Sequence, residues 1–511
     1  MHVHFNVQDF LDRSARTYPD RVALFDEPDQ PAAPWGPLTF AELAARARAQ
    51  AAGLDRLGIA PGERVAIVSH NSARLLASFF GVTGWGRILV PVNFRLAPAE
   101  VEYILEHSGA TVLLVDPELE EALAGIGPSR RFVMGPGSDG ELYASDTEPV
   151  PWVSDEAATA TINYTSGTTA RPKGVQLTHR NCWLNAATFG WHIGVSDRDV
   201  YLHTLPMFHA NGWGMPWATA AMGATQVVLR KVDGNEILHR VDRHGVTLMS
   251  AAPAVVNAVL DAAPHWDGDI PGRGTTRIVV AGAPPPSRTI ERVEAELGWE
   301  FIQIYGLTET SPLLTVNRTR AEWDDLPDGE RARKLMRAGA PSVGTELRID
   351  EHGEVLARSN MVMEGYWRQP EETEKALAGG WFHTGDGGLI DDEGHLSILD
   401  RKKDVIITGG ENVSSIEVED AIFSLHGILE AAVIGVPSEK WGEMVLALVV
   451  VAEDSGITEE SVIAHCHGVL AGYKCPKSVE IRDELPRTAT GKLQKFRLRA
   501  PYWVGLDRQI N

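Results

Sequence analysis

The sequence predicts an α/β fold: a large N-terminal domain of helix-covered sheets with a small β-rich part, then a small C-terminal α/β domain. Three observations carry this expectation. At 511 residues the chain is too long for one compact core. Helix-like and strand-like patterns alternate through the first 150 residues, and the rhythm returns after residue 225. Past about residue 345 short strand candidates between Gly- and Asp-rich turns replace it, and a compact α/β pattern closes the chain.

Taken in order, residues 40–57 are Ala-rich with apolar spacing near 3.6 and stop before Gly58, which predicts a helix. Arg64–Val68 reads as a buried strand, residues 77–85 as a helix, and Ile88–Val92 and 111–115 as further strands. Residues 226–229, 247–250 and Arg277–Val280 continue the series. Strands separated by helices imply parallel sheets. Residues 354–357 and 395–399 read as strands of the β-rich part, followed by the charged run Asp400-Arg401-Lys402-Lys403-Asp404. A helix near 416–425, strands at 430–434 and 445–451, and a helix near 459–470 complete the chain. The boundary is placed inside the charged run, giving domains 1–400 and 401–511.

A formal net charge of -22 excludes a nucleic-acid partner and disfavours anionic lipid, both of which demand a basic surface. Three cysteines are too few for a disulfide framework. Cys466 lies between His465 and His467, but adjacent residues point to different sides of a helix, so a surface or half-buried helix segment is expected rather than a metal site. The first residues, Met1 to Val7, show neither a basic region nor a long apolar run, and no segment has the roughly 18 apolar residues of a membrane span. The expected compartment is the cytoplasm.

The most informative stretch is Asn163-Tyr164-Thr165-Ser166-Gly167-Thr168-Thr169-Ala170-Arg171-Pro172-Lys173-Gly174. Small residues let backbone N–H groups approach an anion, hydroxyls donate further hydrogen bonds, and Lys173 adds positive charge. The Walker A pattern is absent, because no Ser or Thr follows Lys173. The stretch resembles the phosphate loop of the adenylate-forming superfamily, which includes acyl-CoA synthetases, luciferases and peptide-synthetase adenylation domains. Many members have Gly where this chain has Ala170.

Further matches follow in order along the chain. Ala281-Gly282-Ala283-Pro284-Pro285 is similar to the segment lying along the adenine in relatives. In Tyr305-Gly306-Leu307-Thr308-Glu309-Thr310-Ser311-Pro312, the resemblance implies that Tyr305 stacks on adenine, Thr308 contacts phosphate and Glu309 holds Mg²⁺. In Trp381-Phe382-His383-Thr384-Gly385-Asp386, Asp386 is implied to bind the ribose hydroxyls, with Arg401 as a second ribose contact. Lys403 matches the hinge about which relatives pivot a mobile C-terminal domain. In Pro486-Arg487-Thr488-Ala489-Thr490-Gly491-Lys492, Lys492 matches the adenylation lysine.

The resemblance implies an ATP-dependent ligase that converts an acid to an acyl-AMP and then to a coenzyme A thioester, using ATP, Mg²⁺ and coenzyme A. Gly409-Gly410-Glu411 is similar to the thioester-forming face of acyl- and aryl-CoA ligases. Leu205-Pro206-Met207-Phe208-His209-Ala210-Asn211-Gly212-Trp213 resembles an acid-pocket motif, with His209 near the carboxylate and Trp213 lining the acyl tunnel. Ala281, Gly306 and Leu313 complete the expected lining. Nothing among these residues supplies a counter-charge for an ammonium group, so a medium-chain or aromatic monocarboxylate is expected. The alternative keeps adenylation but passes the activated acid, or a small oxyacid such as nitrite, to an amine or a carrier protein. A homodimer is compatible with either reading.

Overall fold

The structure is a computed structural model that describes residues 1–144, 147–165, 171–282, 285–401, 404–408, 411–438, 440–453, 455–487 and 493–504; the side chains of Asp400, Arg401 and Asn412 are outside that description. Four sheets organise the described residues.

The largest has nine strands, in the order Ala340–Pro341, Leu313–Asn317, Glu300–Gly306, Arg277–Val280, Leu248–Ala251, Val200–His203, Thr225–Val228, Val22–Phe25 and Pro37–Thr39. A seven-stranded sheet runs Gly365–Tyr366, Lys173–Thr178, Thr159–Thr165, Ile88–Val92, Arg64–Val68, Ala110–Val115 and Arg131–Val133. The central pairs are parallel as expected, but three of the four edges are antiparallel, Arg131–Val133 being the parallel one, so both sheets are mixed. Thr159–Thr165 and Lys173–Thr178 pair antiparallel with Thr165 opposite Lys173, so no crossover helix is needed between them.

Alternation decides which side chains meet. Val65 and Ile67 face the core that Val279 also joins, whereas Ala66 and Val68 face a second cluster, and Ile278 and Val280 a third. Both sheets are therefore covered on both faces and share one core. Beyond the strand ends, Arg230 donates two hydrogen bonds to the Asp116 carboxylate, at 2.8 and 2.7 Å, tying the two sheets together with both side chains almost wholly buried.

Helix Phe40–Arg56 opens on a reciprocal cap: Thr39 Oγ1 accepts the Glu42 N–H at 3.2 Å, and the Glu42 carboxylate accepts the Thr39 N–H at 2.8 Å. The helix expected over 77–85 instead spans Ala73–Gly81, because Ser72 caps it by accepting the Leu75 N–H; a separate 3₁₀ turn, Thr83–Trp85, ends at Gly86 with φ +80°.

The β-rich part is a four-stranded antiparallel sheet of Thr345–Ile349, Glu354–Ser359, Phe382–Ile390 and Leu396–Arg401. The last sheet contains Glu411–Val413, Ile406–Thr408, Gly442–Val451, Ile428–Ser438 and Ser478–Ile481, packed with helices Ser415–Phe423 and Glu459–Val469. On the second helix His465 is half-buried, Cys466 fully buried and His467 exposed. The three point apart as expected, but Cys466 lies deeper than the expected half-buried position, because it belongs to the apolar stripe that packs on the sheet. Among the described residues no helix is long and apolar enough to cross a membrane.

Candidate active site

The motif residues converge where strands of the large sheet end. Arg277–Val280 and Glu300–Gly306 are parallel neighbours, so Ala281 and Gly282 leave the sheet beside Tyr305 and Gly306. Gly306 sits where a side chain is impossible: a Cβ there would come 1.6 Å from the carbonyl oxygen of Pro312. The short turn Thr308–Thr310 follows, and Thr310 Oγ1 braces it by accepting the Leu307 N–H at 3.0 Å. Ligand sites at the carboxyl ends of strands are the rule for such sheets.

Tyr305 donates its hydroxyl proton to Asp386 Oδ2 at 2.8 Å, joining residues expected at the adenine and the ribose. Asp386 is only 6% exposed, and the Thr384 hydroxyl accepts its N–H at 3.1 Å. In the antiparallel register Asp386 stands directly opposite Arg401, so the two expected ribose contacts are cross-strand partners. Nearby, Tyr366 donates its hydroxyl to Glu309 Oε1 at 2.9 Å. Burial, and then the adjacent Glu309 charge, hold the Tyr366 phenol well above its ordinary pKa, so it stays protonated and donating. Lys173 lies 4.9 Å from the Tyr366 ring centre and pairs with Glu372, whose carboxyl the lysine holds below the usual range. A half-buried carboxylate with one oxygen already oriented suits Mg²⁺, which prefers one or two carboxylates plus phosphate oxygens.

The expected acid-pocket residues also assemble. Trp213, Ala281 and Leu313 belong to one apolar cluster against which Tyr305 packs. Asn185, on helix His179–Ile193, accepts the Leu313 N–H at 3.2 Å, and a Cβ on Gly214 would meet its amide nitrogen at 2.3 Å. His209 is half-buried and enters a turn in which Ala210, Asn211, Gly212 and Trp213 all take left-handed backbone, with φ from 34° to 54°. Asn71 holds the approach to that turn: its amide donates to the carbonyls of His203, Leu205 and Leu229, and its oxygen accepts the Met207 N–H.

Thr165 closes its strand and is half-buried, whereas Ser166, Gly167, Thr168, Thr169, Ala283, Lys403, Gly409, Gly410 and Lys492 lie outside the described residues. Glu411 is exposed on the short strand Glu411–Val413. Sequence reasoning missed Tyr366, Glu372, Asn71 and Asn185. No local pattern in Gly365-Tyr366-Trp367 marks the first, whose partner Glu309 is remote along the chain. A cavity of about 460 Å³ lies elsewhere, lined by Thr276, Arg277 and Glu300 at the opposite strand ends, so it is not this site. Among the described residues His2, His4 and Glu156 have ligand atoms close enough for one cation, but the Glu156 oxygens already accept from Arg180 and the Phe5 N–H.

The model of the family described as AMP-binding enzyme matches residues 11–367, and that of the AMP-binding enzyme C-terminal domain matches residues 417–492. The chain belongs to the AMP-binding enzyme family. This AMP-binding enzyme is 36% identical to 4-hydroxybutyrate--CoA ligase 2 of Metallosphaera sedula, over 96% of this chain and 93% of that protein. It is 38% identical to a 2-methylpropanoate--CoA ligase of Humulus lupulus (96% and 94%) and 33% identical to the peroxisomal trans-cinnamate:CoA ligase of Petunia hybrida (96% and 92%). Among solved structures it is similar to o-succinylbenzoate CoA synthetase of Bacillus subtilis in complex with its acyl-adenylate intermediate, with TM-score 0.82 and 30% identity over 96% of this chain and 97% of that one. The same synthetase in complex with ATP and magnesium ion gives TM-score 0.81 and 29% identity over 96% and 98%. The fold expected from the motifs is that of the family, and the enzyme class expected from them, an AMP-forming acid–thiol ligase, is that of the CoA ligases it is similar to.

Proposed function

We propose that this AMP-binding enzyme is an ATP-dependent acid:CoA ligase that forms an acyl-AMP and then an acyl-CoA thioester from a medium-chain or aromatic monocarboxylic acid. The observation that carries the reading is the Tyr305–Asp386 hydrogen bond at the strand ends, opposite Arg401: an aromatic face and a ribose-ready carboxylate locked together. Glu309 and Lys173, brought together beside Tyr366, supply the cation ligand and the positive charge that a triphosphate needs.

A carboxylate is a poor electrophile, and attack of its oxygen on the α-phosphorus turns it into a mixed anhydride as the bond to pyrophosphate breaks. Two anions must be brought together while charge accumulates on the α-phosphate oxygens. Lys173, Thr308, the loop of Thr165, Ser166, Gly167, Thr168 and Thr169, and Lys492 stabilise that charge. Mg²⁺ held on Glu309 would supply further neutralising charge to the triphosphate. His209 orients the acid, Trp213, Ala281 and Leu313 enclose its chain, and Gly306 leaves room beside the reacting carboxylate. Gly282 and Ala283 flank the adenine.

The second step brings the CoA thiol to the same carbonyl. Its division of labour is an N-terminal part, 1–400, that holds the acyl-AMP and a C-terminal part, 401–511, that turns about Lys403. The turn removes Lys492 and presents Gly409, Gly410 and Glu411. The expected compartment is the cytoplasm.

An acid panel read by mass spectrometry tests the function. Acid-dependent pyrophosphate release, with AMP and acyl-CoA formed when CoA is present, is expected. Pyrophosphate release without thioester transfers the reading to an amine or carrier-protein acceptor, and no acid-dependent exchange between ATP and pyrophosphate sinks it. Lys492→Ala is expected to slow adenylation at least about 100-fold while sparing thioester formation from supplied acyl-AMP. Equal loss of both refutes the turning C-terminal part.

A further inference from the structure

We propose that Tyr366 is a positioning residue that couples Glu309 to Lys173, so that the carboxylate and the ammonium facing the triphosphate are aimed as one unit. The proposal rests on the roles given to Glu309 and Lys173 above, and Tyr366 belongs to none of the motifs that led to them.

Tyr366 ends the short strand Gly365–Tyr366, which pairs with Lys173–Thr178 and sets Tyr366 opposite Val175. Its N–H donates to Thr373 Oγ1 at 2.9 Å, fixing the backbone against helix Pro370–Ala376. From that anchor one side chain makes two different contacts. The hydroxyl donates to Glu309 Oε1 at 2.9 Å, and the ring presents its face to Lys173 Nζ at 4.9 Å from the centroid. A second backbone tie holds the same corner, since the Met363 N–H donates to the Glu309 carbonyl at 2.7 Å. Glu372, from the helix that anchors Tyr366, also pairs with Lys173.

The physical consequence is selective. A hydroxyl donor fixes the rotation of a carboxylate and leaves its charge intact, which is how outer groups tune metal ligands. The ring face attracts the ammonium without neutralising it. Removing the hydroxyl alone therefore disturbs the aim of Glu309 and spares the lysine contact.

The test uses the full chain and a non-cleavable nucleotide, α,β-methylene-ATP, titrated calorimetrically with and without Mn²⁺ as the probe cation, alongside the Mn²⁺ paramagnetic resonance signal. In Tyr366→Phe the Mn²⁺-dependent gain in nucleotide affinity is expected to fall about tenfold or more, with Mn²⁺-free affinity and thermal midpoint unchanged. A wild-type Mn²⁺ gain in Tyr366→Phe overturns the proposal, and so does an equal loss with and without Mn²⁺, which would make the side chain a packing element. Glu309→Gln separates the two levels. If it keeps the Mn²⁺ gain, the assignment of Glu309 has failed; if it loses the gain while Tyr366→Phe keeps it, only the role of Tyr366 has failed.

Discussion

At the residue scale the sharpest constraint is Gly306, where even a methyl group would overlap the Pro312 carbonyl. Gly306→Ala must therefore push the Tyr305–Glu309 segment away from the strand end. A displacement of about 1 Å at a reacting site costs about 100-fold in rate, and the predicted drop in kcat/KM is checked by pyrophosphate release with ATP varied. Two histidines give a pH prediction. His179 and His203 are buried and neutral, with burial depressing each to about 4. The unfolded chain binds these protons near 6.5, so stability is full above that pH and falls as pH drops from about 6.5 to about 4, by up to about 3 kcal/mol per histidine. Urea midpoints against pH should show this slope, flattened in His203→Gln. Tyr305, Thr308, Glu309 and Asp386 stand out in the sequence because each sits in a local motif. Tyr366 does not, because its meaning lies in a contact with Glu309 that is remote along the chain.

The element of most interest is the left-handed turn after His209. Its non-glycine residues Ala210, Asn211 and Trp213 sit in backbone that disfavours them by about 1–2 kcal/mol each, so the surroundings must hold it. Asn71 does much of this through three carbonyls and one N–H. Asn71→Ala strips buried polar groups of their partner and is predicted to destabilise by about 3 kcal/mol, measured by urea unfolding. The same variant is expected to raise KM for the acid far more than KM for ATP. Sequence periodicity found the strands at 64, 88 and 277 almost to the residue because both faces are buried. It missed the start of helix Ala73–Gly81, since Ser72 was not recognised as its cap, and it could not foresee a reversed helical hand in a run that also carries Ala210 and Trp213.

At the scale of the whole molecule, the closing sheet and its helices touch the larger part at two points. Asp420, on helix Ser415–Phe423, accepts the N–H and hydroxyl of Ser287 at 3.0 and 3.2 Å, and the Ser414 hydroxyl donates to the Leu399 carbonyl. Asp420→Ala removes the first of these clasps, and faster limited proteolysis within residues 400–404 is the expected outcome, followed by electrophoresis and mass spectrometry. The α/β class was legible from alternation alone, whereas the mixed character of the sheets was not, because a strand's direction is set by its partner rather than by its own residues. The placing of Asp386 opposite Arg401 has one more consequence. On the proposed reading, in which the closing part turns about Lys403, the strand that carries Arg401 adjoins the hinge, so a ribose held by this pair would be gripped beside the axle rather than at the rim. Rotation of that kind would exchange everything above the bound intermediate while its mooring barely moved.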